Sequence, residues 1–395
     1  MNEPGQRFSA PVGQSSVGTP SLGTPSLGPP TGGPAPAERP VAPQRASQRL
    51  GRDPGGVALS HVVVTGGAGF IGSAFARNYL AWHPAARVTV LDKLTYAGNP
   101  ENLASVAGDP RYRFVRADIC DYDAVAAVVA EADAVVNFAA ESHVDRSILD
   151  PDVFVRTNVL GVNALLRAAK EAGVARFLQV STDEVYGHVG EGATAEDAPL
   201  RPRNPYSASK AGAELLAFSY FANFNLPVLV TRGENTIGPY QYPEKATPLF
   251  ITNALEGQPL PIYGQGEAVR HYLHVDDHAA AIDLVLHQGV PGEAYNIGAD
   301  EEVNTVALAG RILDLVGQPH SLMQFVPDRP GHDYRYNLDF AKLERLGWRR
   351  RYDFARTLAA TVAWYTERQD WWRPVKSGAY RDYYRRQYGA VLADA

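Results

Sequence analysis

The stretch HVVVTGGAGFIG, residues 61–72, decides the fold. A short β-branched run bounded by glycines is typical of a buried strand. The glycines that follow open a predicted helix, where they permit a tight turn and a close approach of the backbone to a pyrophosphate. Because a strand precedes this turn and a helix follows it, we favour a dinucleotide-binding unit over a glycine-rich turn without a ligand.

Beyond residue 72 the chain alternates predicted strands with predicted helices. Alternation of this kind is typical of an α/β fold, in which helices cover both faces of a doubly wound parallel sheet. We therefore predict a Rossmann domain followed by a smaller, irregular C-terminal substrate domain. The further strands are predicted at 87–92, 113–116, 134–138, 177–181 and 227–232, and helices at 121–131 and 153–171 among others.

Composition divides the chain into three parts. Residues 1–57 are rich in Gly, Pro and Ser and are predicted to be a disordered tail, because they cannot bury enough apolar surface to offset chain entropy. Residues 58–232 are predicted to form the NAD-binding domain. Residues 233–388 are predicted mainly to bind the substrate, with 269–286 returning a strand and a helix to the first domain. The aromatic and basic segment from Asp370 onward is expected to pack on the body.

Charge and cysteine content exclude several classes of function. A net charge of −6 over 395 residues provides no basic excess for non-specific nucleic-acid binding. Cys120 is the single cysteine, so neither an intrachain disulfide nor a Cys-rich metal site can form, and we expect no metal site. The chain shows neither a long apolar run nor the order of a secretory signal, so we expect no membrane span and a cytoplasmic protein.

Acidic residues end the second and third predicted strands. Asp92 lies 20 residues after Gly72, where a carboxylate accepts hydrogen bonds from an adenosine ribose. An acid there favours NAD over NADP, because it would repel a 2′-phosphate. Asp118 and Ile119 are placed to reach the adenine. The small residues in the run NFAA, 137–140, suit close cofactor approach, although packing alone also favours small residues.

The run STDEVYG, residues 181–187, carries a hydroxyl and two adjacent carboxylates. Charged side chains such as these are rarely buried unless they interact with an opposite charge or have a function. Thr182 lies 24 residues before Tyr206, and Lys210 follows the tyrosine by four positions, on the same face of a predicted helix. A nearby cation and the cofactor charge can lower a tyrosine pKa enough for it to act as a base. These groups indicate redox chemistry coupled to acid–base elimination.

With these motifs the chain resembles the dTDP-glucose 4,6-dehydratases, a branch of the extended short-chain dehydrogenase/reductases of the NAD-dependent epimerase/dehydratase type. The resemblance covers about residues 61–388. It rests on STDEVYG and on TGGAGFIGS (65–73), LDKLTYAGN (91–99), AAESHVDRSI (139–148), YSASKAGAE (206–214), GPYQYPEK (238–245), LPIYGQG (260–266), YNIG (295–298) and DRPGHD (328–333).

The resemblance implies a role for each residue of the catalytic set. Tyr206 would take the proton of the sugar 4-hydroxyl while hydride passes from C4 to NAD. Glu184 would then remove the C5 proton, and Asp183 would protonate the departing 6-hydroxyl before hydride returns to C6. Thr182 would hydrogen-bond the 4-oxygen, and Lys210 would support tyrosine and cofactor. The implied reaction converts dTDP-glucose to dTDP-4-keto-6-deoxyglucose, and adjacent acids supply the one protonated and one ionised carboxyl that it needs.

The resemblance and the motifs together imply two sets of binding residues. Cationic members of the substrate set suit a nucleotide diphosphate. The cofactor set is Gly66, Gly69, Phe70, Ile71, Gly72, Asp92, Lys93, Thr95, Asp118, Ile119, Ala139, Ala140, Thr157, Tyr206 and Lys210. The substrate set is Ser142, Thr182, Asn235, Lys245, Pro261, Tyr263, Arg270, Asn304, Arg329 and His332.

Two stretches depart from the family's pattern. In GENTIG, residues 233–238, Glu234 and Thr236 replace residues that the family places near the nicotinamide. In RHYLHV, residues 270–275, Arg270 is kept but His271 replaces its usual acidic neighbour. The catalytic set is intact despite both changes.

Four alternative functions share parts of this pattern. A 4,6-dehydratase for a UDP- or GDP-linked sugar would keep every catalytic residue. A UDP-sugar 4-epimerase shares the fold, NAD, Tyr206 and Lys210 but needs no acid–base pair, so Asp183 disfavours it, as it disfavours a decarboxylase. A non-catalytic NAD sensor would be expected to lose Tyr206, Lys210 or the carboxylates, and all are present.

Two predicted helices, 153–171 and 206–224, carry more apolar positions than one core face requires. The resemblance implies that a pair of such helices from each subunit forms a four-helix bundle, so we predict a homodimer. Two ordinary helices flanking a sheet are the alternative.

Overall fold

The computed structural model describes residues 56–328, 332–377, 380 and 384–388. Its strands are β1 His61–Thr65, β2 Arg87–Asp92, β3 Tyr112–Arg116, β4 Ala134–Asn137, β5 Arg176–Thr182, β6 Val228–Gly233, β7 Asn235–Ile237, β8 Leu260–Tyr263, β9 Val269–Arg270, β10 Tyr272–His274, β11 Glu293–Ile297, β12 Val303–Asn304 and β13 Met323–Val326. Its α-helices are α1 Phe70–Trp82, α2 Tyr122–Val129, α3 Val144–Leu149, α4 Pro151–Phe154, α5 Val162–Ala172, α6 Pro205–Phe224, α7 Ala246–Leu255, α8 Val275–Gln288, α9 Thr305–Val316, α10 Ala341–Arg345, α11 Phe354–Glu367 and α12 Gln369–Val375.

Within the described residues, seven strands form one parallel sheet in the order β11-β6-β5-β4-β1-β2-β3. The predicted α/β fold is confirmed, and the predicted strands end within one residue of their expected bounds. The strand order reverses direction between β1 and β4. In open parallel sheets, ligands bind at the carboxyl ends of the strands beside such a reversal.

Both faces of this sheet are buried, which explains the unbroken apolar run of β1. Val62 and Val64 are fully buried in a core that includes residues of α1 and α8. Val63, which points to the opposite face because strand side chains alternate, is fully buried in a second core with residues of α2, α5 and α6.

The predicted helix at 153–171 is interrupted. A π-helical turn, Val155–Gly161, separates α4 from α5. It turns Asn158 inward, where its side chain accepts a hydrogen bond from the Glu141 amide (2.9 Å) and donates to Ser209 (2.8 Å). Single π-helical turns are frequent at functional sites, and this one places Thr157 on the wall of the cavity described below.

The chain beyond β6 builds a third core from α7, α9, α11 and three short strand pairs, β7 with β10, β8 with β13, and β9 with β12. Trp371 and Trp372 are buried in it, so the aromatic segment does pack on the body at its described residues. One expectation for 269–286 is wrong in part. Helix α8 packs on α1, but the strand that joins the main sheet is β11, because β9 and β10 pair with β12 and β7 instead.

The domain boundaries drawn from the sequence, including the tail at 1–57 and the division at residue 232, remain a prediction. Among the described residues, no helix has both the length and the apolar character that a membrane crossing requires.

Candidate active site

A cavity of about 360 Å³ lies at the carboxyl ends of the main strands. It brings together residues from Gly66 to His278, including every predicted catalytic and cofactor residue. The predicted residues that line it are Gly66, Gly69, Phe70, Ile71, Gly72, Asp92, Lys93, Thr95, Asp118, Ile119, Ala139, Ala140, Ser142, Thr157, Thr182, Asp183, Glu184, Tyr206, Lys210, Asn235 and Lys245.

The glycine-rich turn after β1 forms part of this wall, and its shape requires glycine at two positions. Gly66 has φ +68°, and a Cβ there would lie 2.5 Å from the amide nitrogen of Ala139. A Cβ on Gly72 would lie 2.4 Å from the carbonyl oxygen of Gly66. Both distances are shorter than Cβ contacts allow. Because these two positions carry no side chain, the turn can fold tightly into the N-terminus of α1, beside the cavity.

Asp92, at the end of β2, holds this turn in place. Its carboxylate accepts a hydrogen bond from the Ala68 amide (2.9 Å) and another from the Leu94 amide (2.8 Å). Burial raises the pKa of Asp92, and the two amides oppose that shift. Each oxygen keeps a further lone pair, so the carboxylate can still accept hydrogen bonds from a ligand in the cavity. Next to it, Lys93 and Asp118 form an ion pair of 2.6 Å.

The paired acids follow directly from the end of β5. The Asp183 side chain is buried and accepts a hydrogen bond from the Thr182 hydroxyl (3.1 Å), while its Oδ2 has no hydrogen-bond partner among the described residues. Burial, and then the neighbouring Glu184, raise the pKa of Asp183 to about 7, although Arg270 acts in the opposite direction. Asp183 thus differs from an ordinary carboxyl because it retains a proton near neutral pH.

Glu184 has a more open environment than its neighbour. Its side chain is only partly buried, and it accepts a long hydrogen bond from the Asn204 amide group (3.4 Å). Asn204 also caps α6, the helix that carries Tyr206. The two adjacent acids therefore occupy different surroundings, as a division between an acid and a base requires.

Tyr206 and Lys210 project from the first turns of α6 and are both buried. Burial, followed by the charges of Glu184 and Asp183, raises the pKa of Tyr206 well above its ordinary value, whereas a hydrogen bond to Thr182 lowers it. The Lys210 ammonium donates to the Val180 carbonyl (2.7 Å), and burial lowers its pKa to about 8. In these surroundings Tyr206 needs additional positive charge in the cavity before it can act as a base.

The buried proton of Asp183 predicts a pH-dependent effect of one substitution. The folded-state pKa lies above the ordinary value of 3.8, so its contribution to stability is complete below about pH 4 and is lost as the pH rises toward about 7. A difference of about three pKa units corresponds to about 4 kcal/mol. D183N removes the ionisation, so at pH 8 it should melt at a higher temperature than the wild-type protein, with the gap narrowing below about pH 7 and closing only below about pH 4.

Thermal melts across this pH range measure the effect. D197N, which changes an exposed aspartate, serves as the control and should show no such trend. A D183N variant that is less stable than wild type at pH 8 would contradict the buried, neutral state of Asp183.

The predicted substrate contacts divide into two groups. Thr182, Ser142, Asn235 and Lys245 line the cavity. The Lys245 ammonium donates to the Ser142 carbonyl (2.7 Å) and lies 6.0 Å from the Tyr206 ring centroid. The remaining members of the predicted substrate set that the structure describes lie outside the lining of the cavity. Arg329 lies outside the described residues altogether. Those outside the lining are Pro261, Tyr263, Arg270, Asn304 and His332.

The contacts of this second group are structural ones. The guanidinium of Arg270 donates to the carbonyls of Val269 (2.7 Å) and Asp333 (2.7 Å). Asn304 caps α9 by accepting from the Ala307 amide (2.7 Å). The Tyr263 ring lies 6.4 Å from that of His332 and 6.1 Å from that of Tyr388, between centroids. A direct role of these residues in substrate binding remains a prediction.

Comparison with known proteins agrees with this geometry. A family model described as GDP-mannose 4,6 dehydratase matches residues 63–361.

The chain belongs to this dehydratase family.

A dTDP-glucose 4,6-dehydratase of Streptomyces niveus is 51% identical over 321 residues, which are 80% of this chain and 96% of that protein. DesIV, the dTDP-glucose 4,6-dehydratase of Streptomyces venezuelae solved with NAD bound, matches with a TM-score of 0.79 and 52% identity, over 80% of this chain and 100% of that one. The enzyme of the same name from Bacillus anthracis, in complex with NAD, matches with a TM-score of 0.75 and 43% identity, with the same coverage. The resemblance stated from the motifs is confirmed.

The positions where the chain departs from the dehydratase pattern form two contacting pairs. The Nδ1 atom of His271 lies 3.4 Å from the Glu234 carboxylate, and both side chains are buried. The Thr236 hydroxyl lies 2.8 Å from Nδ1 of His278, a fully buried histidine whose pKa burial lowers to about 4. Glu234, Thr236 and His278 also line the cavity. The sequence did not indicate His278, because nothing in its local pattern marks it as facing a ligand.

Glu234 connects three segments of the dehydratase. Its two oxygens accept hydrogen bonds from the amides of Ala299 (2.8 Å), just after β11, and Leu338 (3.0 Å). Strand register pairs Thr182 with Gly233, so Asp183 and Glu234 directly follow the paired ends of neighbouring strands. Burial, and then the nearby Asp183, raise the pKa of Glu234 well above its ordinary value. Glu234, which departs from the family pattern, is thus a buried residue that links these segments through hydrogen bonds beside Asp183.

We expect E234Q to lower the free energy of unfolding by about 1–3 kcal/mol. The substitution replaces one of the two accepting oxygens with an NH₂ group, so one of the two backbone N–H groups loses its acceptor. Chemical denaturation followed by circular dichroism measures this loss. E301Q is the control, since Glu301 pairs with Arg311 in an exposed ion pair worth little. Equal free energies of unfolding for E234Q and E301Q would contradict a stabilising role for the hydrogen bonds of Glu234.

Proposed function

We propose that this chain catalyses the NAD-dependent dehydration of dTDP-glucose to dTDP-4-keto-6-deoxyglucose. The observation that carries the proposal is the pair Asp183 and Glu184, one carboxyl held protonated near neutral pH and the other not fully enclosed, in the same cavity as Tyr206 and Lys210. The relatives named above carry this activity in their names.

The cavity wall fits a dinucleotide. The turn at 66–72 has no room for a side chain at Gly66 or Gly72, leaves backbone amides at a helix N-terminus for a pyrophosphate, and is held by the Asp92 carboxylate. We infer that Asp118 and Ile119 flank the adenine, and that Ala139, Ala140 and Thr157 line the path to Tyr206 and Lys210. When bound, NAD supplies a hydride acceptor for C4, a hydride donor for C6, and positive charge beside Tyr206.

The first step requires removal of the 4-hydroxyl proton. Tyr206 is the candidate base, because its ring lies in the cavity and its hydroxyl hydrogen-bonds Thr182. Thr182 can hold the 4-oxygen in line with the tyrosine. Lys210, fixed by the Val180 carbonyl, keeps a positive charge at the base of the cavity below about pH 8. This charge favours the tyrosinate once the pocket is occupied.

The second step eliminates water across C5 and C6. The ketone at C4 makes the C5 proton acidic, and Glu184 accepts that proton as the C5–C6 double bond forms. Asp183 donates its proton to the 6-hydroxyl, so that the C6–O bond breaks and water leaves. The raised pKa of Asp183 matches the demand for an acid at neutral pH. An epimerase has no use for either carboxyl, which disfavours that alternative.

The test is incubation of the purified protein with dTDP-glucose, followed by the alkali-induced absorbance of the keto-sugar, with UDP-glucose and GDP-mannose in parallel. Product from dTDP-glucose is expected. Keto product from another nucleotide sugar alone would keep the chemistry and change the substrate. A 4-epimer without any keto product would overturn the proposal.

We also infer a homodimer formed by the two helical regions predicted for it. Leu160 and Leu215 are 59% and 61% exposed, and Val155 and Phe224 on the same regions are half exposed. A second copy would bury these side chains. Light scattering after gel filtration should report a dimer for wild type and a monomer for L160E/L215E. L315E, on exposed Leu315 of α9, is the control and should remain a dimer.

A cytoplasmic location remains a prediction from the single cysteine.

A further inference from the structure

Outside the lining of the cavity, two imidazoles and a carboxylate meet where α1 ends beside α8. His83 directly follows α1, and Asp283 and His287 are four residues apart on one face of α8. Their ligand atoms all lie within 4.8 Å of one another, the one such group of three among the described residues. We propose that His83, Asp283 and His287 bind a divalent transition metal such as Zn²⁺.

The spacing of the three groups is that of a coordination sphere. The Asp283 Oδ1 atom lies 2.9 Å from Nε2 of His83 and 3.5 Å from Nε2 of His287. Ligands about 2.0–2.1 Å from a tetrahedral ion lie about 3.4 Å from each other, so small side-chain rotations suffice. The three side chains are 16–29% exposed, which leaves a path for the ion.

Hydrogen bonding prepares His287 to act as a ligand. Its Nδ1 lies 2.8 Å from the Val57 carbonyl, which can only accept, so Nδ1 carries the proton in the neutral ring. The lone pair of Nε2 is then free of a proton and lies 3.5 Å from the Asp283 carboxylate and 3.3 Å from the Tyr79 hydroxyl. An ion at this position would take the lone pair in place of the tyrosine hydroxyl, which can turn to another acceptor. A backbone carbonyl that fixes the outer nitrogen is the usual support of a metal-binding imidazole.

The donor set selects the class of ion. Two imidazoles and one carboxylate suit Zn²⁺, Ni²⁺ or Cu²⁺ and disfavour Mg²⁺ and Ca²⁺, which take oxygen ligands. Three protein ligands leave a fourth position for water. The sequence predicted no metal site, because His83 lies 200 residues from Asp283 and only the packing of α1 on α8 brings them together.

The experiment is a calorimetric titration of Zn²⁺ into full-length protein that has been freed of metal with a chelator and carries no histidine tag. We expect one saturable site per chain, lost or weakened at least tenfold in H83Q and D283N. H320Q is the matched control, because His320 forms an exposed pair with Asp314 (2.8 Å) to which the described part of the chain adds no third ligand. Circular dichroism melts establish that each variant is folded.

Cobalt provides a second measurement on the wild-type protein alone. Co²⁺ held by these ligands should give a visible absorption band that Zn²⁺ abolishes. Binding that is absent in wild type, or equal in wild type, H83Q and D283N, would overturn the proposal. Because the site does not line the catalytic cavity, dehydratase activity should be unchanged in H83Q. The metal titrations themselves do not depend on the proposed function.

Discussion

Y206F is expected to lower kcat for dTDP-glucose dehydration by roughly 10³-fold, because it removes the group that accepts the 4-hydroxyl proton, and general bases contribute about 10²–10⁴-fold. Since the first step fails, neither reduced cofactor nor keto-sugar should form. The ring and its contact with Phe154, at 6.3 Å between centroids, remain in the variant. NAD binding should therefore be close to that of wild type.

The measurement is single-turnover absorbance of reduced NAD, combined with NAD binding by calorimetry. Y122F is the control, because Tyr122 is a tyrosine of α2 whose hydroxyl bonds Glu171, remote from the cavity. A Y206F enzyme with more than a tenth of wild-type activity would show that another group takes the proton.

E184Q is expected to lower the rate of keto-deoxysugar formation by about 10²–10⁴-fold, because the C5 proton loses its acceptor. Oxidation at C4 does not involve Glu184, so hydride transfer to NAD should persist. The variant should therefore accumulate reduced cofactor on mixing with dTDP-glucose, a signal that Y206F lacks. Rapid-mixing absorbance separates the two variants.

E367Q provides the matched control, since Glu367 is exposed at the end of α11. If E184Q failed to reduce the cofactor, the carboxylate would be needed before elimination. Its assignment as the C5 base would then be wrong.

The main sheet could be predicted from sequence because its determinants are local. The run at 61–65 is apolar on both faces, which is typical of a parallel strand covered by helices, and glycines mark the turn after it. The edge strand β11 was not anticipated. Glu293 to Ile297 alternates in character and follows a helix that already belonged to the main domain, so only the pairing with β6 identifies it.

The convergence of the proposed catalytic and cofactor residues on one cavity was predictable, because most of them lie at the ends of strands or the start of a helix, where parallel topology converges. The pairs of Glu234 with His271 and Thr236 with His278 were not predictable, since each joins segments more than thirty residues apart. The burial of a side chain cannot be read from a motif either. Asp183 is more deeply buried than its sequence neighbour Glu184, and this burial is the main cause of the raised pKa of Asp183.

The most direct test of the central claim, that Asp183 and Glu184 carry out an elimination between oxidation and reduction, is the reaction of dTDP-glucose in D₂O with the product examined by NMR. The account predicts a keto-deoxysugar that has deuterium at C5, delivered by the carboxyl that removed the proton, and the former C4 hydrogen at C6. A product without deuterium at C5, or a 4-epimer as the only product, would contradict it.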